Sequence, residues 1–142
     1  MKRNATLSVS THASYPDGGR DEIRYTVPAV AQLAAAGVRA TYDEPDASEM
    51  GAVRTTLTLE PHTLTLTREG AVRCAFRFEE GVPHDSWYET GLGRFPARVT
   101  THALRMKQSE HSSLVEARYT LELGGAAIEH RLKLLIRMED EL

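Results

Sequence analysis

The sequence predicts an all-β protein: a single antiparallel, mostly up-and-down barrel of about 8–10 strands. Three observations predict it. Apolar and polar residues alternate with period two along most of the chain, which is the pattern of half-buried strands. Turn-forming clusters separate these runs at the short, regular spacing of sandwiches and barrels. Short connections favour strands that neighbour each other in order, and closure removes the sheet edges such an order leaves.

The first run starts at Ala5. Leu7, Val9 and Thr11 share one face, and Thr6, Ser8 and Ser10 the other. Tyr15-Pro16-Asp17-Gly18-Gly19 is a turn: proline presets one backbone angle and glycine accepts positive ones. Ile23, Tyr25 and Val27 then alternate with Glu22, Arg24 and Thr26. By its own residues, Pro28–Gly37 reads as a short helix, with proline in the first turn, alanines inside and glycine after the end. Val38, Ala40 and Tyr42 form the next strand, followed by a surface loop from Asp43 to Gly51 that is rich in turn formers.

Val53, Thr55, Leu57 and Leu59 alternate up to Glu60-Pro61, and Leu64 and Leu66 follow. Glu69-Gly70 turns the chain into Val72, Cys74, Phe76 and Phe78. Trp87–Thr90 leads through Gly91-Leu92-Gly93 into Phe95, Ala97, Val99, Thr101 and Ala103. A polar turn over Lys107–Ser113 precedes Val115, Ala117, Tyr119, Leu121 and Leu123. Gly124-Gly125 is a two-residue hairpin signal, and Ile128, His130, Leu132, Leu134 and Ile136 close the chain. Leu104 and Met106 break the phase of their strand, and Leu135 is an apolar residue in an outward position. A strand bend or an interaction surface accounts for each equally well.

The totals narrow the function classes. The chain has 142 residues, which suits one domain spanning 1–142. It is 41% hydrophobic and 26% charged, which excludes disorder. The formal charge is -3, and basic and acidic residues are interleaved, so neither nucleic acid nor an anionic membrane is the expected partner. No leader-like segment or apolar span of about 18 residues is present, and the reading places the protein in the cytoplasm.

Catalytic and cofactor signatures are weak. Gly91-Leu92-Gly93 lacks the third glycine and the following helix of a dinucleotide site, so it reads as a corner. No two of the six histidines stand at the spacing that aims both at one metal, so neither metal nor cofactor is expected. Cys74 lies in phase with Phe76 and Phe78, as a buried inert thiol would. His84, Asp85 and Ser86 hold the residue types of a hydrolase triad, but consecutive strand residues face opposite ways. No catalytic residue is assigned.

The remaining chemistry is aromatic. Tyr25, Tyr42, Trp87, Tyr88, Phe95 and Tyr119 fall on separate runs or alternate faces, the arrangement with which a barrel grips a small organic molecule or fills its own core. Trp87 and Tyr88 are neighbours, so one faces inward and the other outward. His130 shares its phase with Ile128 and Leu132 and is a candidate polar anchor; Arg98, between Ala97 and Val99, is another, in a phase that favours solvent. Tyr42, Trp87, Tyr88, Phe95, Arg98, Tyr119 and His130 form the candidate ligand site. The expected function is non-enzymatic binding of a small, partly apolar molecule. The alternative is a homodimeric or protein-interaction module with a solid core.

Several stretches, taken in order, resemble one family. They are TYDE at Thr41–Glu44, VRTTLTL at Val53–Leu59, TREG at Thr67–Gly70, YETGLGRF at Tyr88–Phe95, and the closing hairpin EARYTLELGGAAIEHRLKL. Together they are similar to the YwiB-like family of uncharacterised small bacterial proteins, over a core of about residues 4–138. Gly91 departs from the proline that commonly follows the corner threonine there. The resemblance implies a calycin-like (lipocalin-like) barrel and a strand, kinked at Pro28, where the local residues read as helix. It implies no activity. Ligand binding inside such barrels is an analogy at the level of fold.

Overall fold

The structure, a computed structural model, describes residues 2–34 and 37–141. Ten antiparallel strands run in chain order: β1 (Lys2–Ser14), β2 (Arg20–Ala34), β3 (Gly37–Asp43), β4 (Val53–Glu60), β5 (Thr63–Gly70), β6 (Arg73–Phe78), β7 (Pro83–Thr90), β8 (Gly93–Gln108), β9 (Ser112–Leu123) and β10 (Ala126–Glu141). Each pairs with its neighbours in sequence, and β10 pairs with β1 to close the barrel. One 3-10 turn, Asp46–Ser48, lies between β3 and β4.

Segment Pro28–Ala34 is strand, not helix. It belongs to β2 and pairs with β1 from Thr6↔Pro28 to Lys2↔Gln32. Alanine's helix propensity is worth only tenths of a kcal/mol per residue, about the scale that tertiary pairing overrides. The barrel also has a use for small side chains here: Ala29, Ala31 and Ala40 are buried where β1, β2 and β3 meet. Pro28 sits just outside the β2–β3 ladder, which begins at Val30↔Thr41, a position a residue without an N–H tolerates. Ala35 and Ala36, which the helix reading also covered, lie outside the described residues.

The phase break at Leu104 and Met106 has a backbone cause. The β8–β9 register jumps between Thr101 and Ala103, leaving His102 as an extra residue. Such a bulge re-aims every side chain beyond it. Phe95, Ala97, Val99 and Thr101 face the interior before it; after it Leu104 and Met106 pack on the core. The polar turn between β8 and β9 is shorter than the sequence suggests, because β8 runs to Gln108 and β9 starts at Ser112.

Apolar side chains line the interior along its length. Leu7, Leu57, Leu59, Leu64, Val115 and Ile136 are fully buried in one half. Each such side chain contributes about 1.5–3 kcal/mol by leaving water. The other half lies toward the hairpins β1–β2, β3–β4, β5–β6, β7–β8 and β9–β10. There the inward residues Tyr25, Tyr88, Tyr119 and Leu123 are half-buried, among the buried Tyr42, Val53, Thr55, Val72 and Cys74; at the opposite end Leu33, Leu104 and Met106 are half-buried.

Candidate functional site

One inward row crosses six strands near this hairpin end. The register runs Tyr42↔Thr55, Thr55↔Arg68, Arg68↔Cys74, Cys74↔Tyr88 and Tyr88↔Phe95. Each residue takes its place by alternation. Arg68 is in phase with Leu64 and Leu66, and Tyr42 with Val38 and Ala40. Gly70 sets the end of β5: its φ is +128°, and a Cβ there would meet the Ala52 carbonyl oxygen at 2.2 Å. The hairpin that positions Arg68 therefore needs glycine at this point.

Glu44 closes the row. It follows β3, keeps the inward phase of Tyr42, and its side chain is 0% exposed. Its two oxygens are taken by hydroxyls: Tyr25 donates to Oε1 at 2.9 Å, and Thr55 donates to Oε2. The Tyr25 and Tyr42 hydroxyls are 3.0 Å apart, with ring centroids separated by 6.2 Å. Arg68 Nε stands 3.7 Å from Glu44 Oε2, an ion pair beyond hydrogen-bond reach. That nitrogen is buried and has no hydrogen-bond partner.

Burial dominates the electrostatics. Desolvation raises the Tyr25 hydroxyl well above its ordinary range, reinforced by Tyr42 and Glu44. It raises Tyr42 to about 12, with Glu44 adding to the shift. Burial works against the charge on Arg68, but Glu44, Cys74, Tyr42 and Tyr25 together outweigh it and the guanidinium pKa rises. Burial pushes the Cys74 thiol up despite the neighbouring Arg68, so the thiol is weakly nucleophilic, as the sequence phase implies. Tyr119 is raised to about 12 by burial, partly offset by Arg68.

Tyr119 joins the row to the opposite wall. Its ring meets Phe78 edge-on at 4.7 Å and stacks on the His130 imidazole at 4.8 Å with an interplanar angle of 5°. Desolvation lowers the His130 pKa, which Glu129 only partly counters. His130 Nε2 is buried without a partner. A groove at the rim between β1, β2, β9 and β10 reaches Ala13 and His130 from outside and is otherwise lined by residues such as Arg20, Arg118 and Arg131.

Four of the seven sequence candidates, Tyr42, Tyr88, Tyr119 and His130, thus face the interior near the hairpin end, and Phe95 lies at its rim, 38% exposed. The other two lie on the outer wall. Trp87 is capped by the Arg94 guanidinium, 4.4 Å from the ring centroid. Arg98 forks onto Asp85 at 2.7 and 3.3 Å, cross-strand on β7. Glu44, Thr55 and Arg68 were missed, and Tyr25 was read only as one of the aromatic walls. Their signal was the alternation itself, overlooked at Glu44 and Arg68 because Pro45 and Gly70 mark turns beside them.

The triad types do not converge. Ser86 donates to the Ala75 carbonyl, His84 pairs with Glu79 at 3.2 Å, and Asp85 is held by Arg98. Among the described residues no group of three or more His, Cys, Asp or Glu is placed to hold a metal ion. No helix among them is long and apolar enough to cross a membrane.

The model of a domain of unknown function, DUF1934, matches residues 7–134 of the chain. The chain belongs to the DUF1934 family. In DUF1934 terms the match spans nearly the whole barrel, from inside β1 to inside β10. The crystal structure of the YwiB protein from Bacillus subtilis superposes with a TM-score of 0.84 at 19% identity, covering 98% of this chain and 94% of that one. The YwiB-like, calycin-like barrel expected from the sequence is thereby shown. No curated protein matches this DUF1934 chain in sequence.

Proposed function

We propose that the barrel binds a small, partly apolar molecule at its hairpin end and does not transform it. The observation that carries this reading is the cluster of aromatic and polar side chains at the hairpin end. Half-buried Tyr88, Tyr119 and His130 lie beside the polar row of Tyr42, Thr55 and Arg68, above fully buried apolar residues. Aromatic walls with a few convergent polar groups are the usual lining of a small-molecule site. Two buried nitrogens there, Arg68 Nε and His130 Nε2, lack partners, and an unmet buried donor costs about 1–3 kcal/mol. A ligand's polar atoms would supply what they lack. The nucleophile-bearing side chains are either buried and protonated, like Cys74, or engaged elsewhere, like Ser86.

Titration with the neutral fluorophore N-phenyl-1-naphthylamine tests the proposal. A saturable fluorescence rise at one probe per chain is expected. Tyr88→Ala and Tyr119→Ala should weaken it, and Arg98→Ala should leave it unchanged. A wild-type protein that gives no saturable rise would overturn the reading.

A further inference from the structure

The Arg68–Glu44 pair is unusual in one respect: both carboxylate oxygens accept hydroxyl hydrogen bonds, while the guanidinium Nε, buried beside them, has no partner. Tyr25 and Thr55 already donate to the two Glu44 oxygens. Glu44 therefore holds Arg68 by charge, at 3.7 Å, without taking its Nε hydrogen. The cross-strand neighbours of Arg68 on the inner face are Thr55, whose hydroxyl is spent on Glu44, and Cys74, whose thiol burial keeps protonated. A guanidinium presents five donors in a planar fork shaped for a carboxylate or a similar oxyanion. The Arg68 side chain is 15% exposed, at the hairpin end of the barrel.

We infer that the molecule bound in the barrel carries a small oxyanion, of carboxylate type, that pairs with Arg68 while its apolar body lies against Tyr88, Phe95 and Tyr119. This rests on the binding reading above. The body must be short. Leu66, Phe76 and Phe78 are buried one and two positions deeper on the same strands, so the floor lies close beneath the guanidinium. A compact aromatic or branched acid fits this depth better than a long alkyl chain. Specificity for the anion follows from the fork: a carboxylate offers two charged acceptor oxygens, a neutral amide one uncharged oxygen, and that difference is large inside a low-dielectric site.

Isothermal titration of the intact protein with 2-naphthylacetate and with its neutral amide, 2-naphthylacetamide, tests this at neutral pH. The acetate is expected to bind about tenfold or more tightly than the amide, the value of one charge-assisted hydrogen bond. In Arg68→Gln the preference should vanish while amide binding persists. Should that variant not fold, Arg68→Lys keeps the charge without the fork and should retain only part of the preference. An acetate-to-amide ratio near one in the wild type overturns the inference, with or without a variant, and leaves the binding proposal standing. If neither compound binds, the binding proposal fails as well.

Discussion

Arg68 and Glu44 form an ion pair inside the barrel in which Glu44 is fully buried and Arg68 nearly so, with Nε and Oε2 3.7 Å apart. Two charges taken out of water are costly, and their attraction compensates only while both are present. The surrounding hydroxyls of Tyr25 and Thr55 orient the carboxylate so that its charge reaches the guanidinium.

Removing one charge leaves the other buried and uncompensated. Glu44→Gln should therefore destabilise the fold by about 3–5 kcal/mol. The double variant Glu44→Gln/Arg68→Met should recover much of that loss, because no lone charge remains. Urea denaturation of the wild type, both single variants and the double variant, read as a double-mutant cycle, checks this. Additive losses would show that the pair is not coupled.

His130 makes stability depend on pH. Its folded pKa lies below the ordinary histidine value because burial disfavours the charged ring. The unfolded chain therefore takes up the proton first as pH falls. The contribution of His130 is fully present above about pH 6.5 and is lost as pH drops through its lowered folded pKa. The melting temperature of the wild type should fall over this window, and that of His130→Gln should fall less. Parallel curves for the two proteins would contradict the assignment.

Phe78 supports the site from below, fully buried and edge-on to Tyr119. Phe78→Ala should cost about 3–5 kcal/mol. It should also loosen the Tyr119–His130 stack, visible as altered aromatic shifts in nuclear magnetic resonance spectra. Arg98→Ala, on the outer wall with its exposed partner Asp85, should change neither the melting temperature nor those shifts.

Gly70→Ala tests the hairpin geometry. The substitution requires a positive φ from a residue with a Cβ and drives that atom into the Ala52 carbonyl. Backbone strain of this kind costs about 1–3 kcal/mol. Lower stability together with a weaker preference for the naphthylacetate anion is the expected pair of outcomes.

Most of the barrel was legible because strand alternation is a local property. Leu7, Val9, Leu57 and Leu59 announce their faces without reference to any partner. Pro28–Ala34 was not legible locally: its alanines favour helix alone and strand only against Lys2–Thr6 on β1. The bulge at His102 left a trace in the phase of Leu104 and Met106, but that trace has two physical explanations until the β8–β9 register is known. The site was half legible. Parity placed His130 inside, sent one of Trp87 and Tyr88 inward without choosing between them, and kept Arg98 under suspicion of facing out. The Arg68–Glu44 pair needed the β4–β5 hairpin and the turn after β3 to be seen meeting, which spacing along the chain does not reveal.

Closure by β1 and β10 has a consequence for synthesis. The first strand to leave the ribosome has its final neighbour in the last, paired from Arg3↔Glu141 to Ser14↔Glu129. Until β10 emerges, a nascent chain holds an open sheet with one oily side uncovered and two unzipped margins. Shielding during translation, by a chaperone or by rapid curling of the early hairpins, is thus a requirement built into the topology.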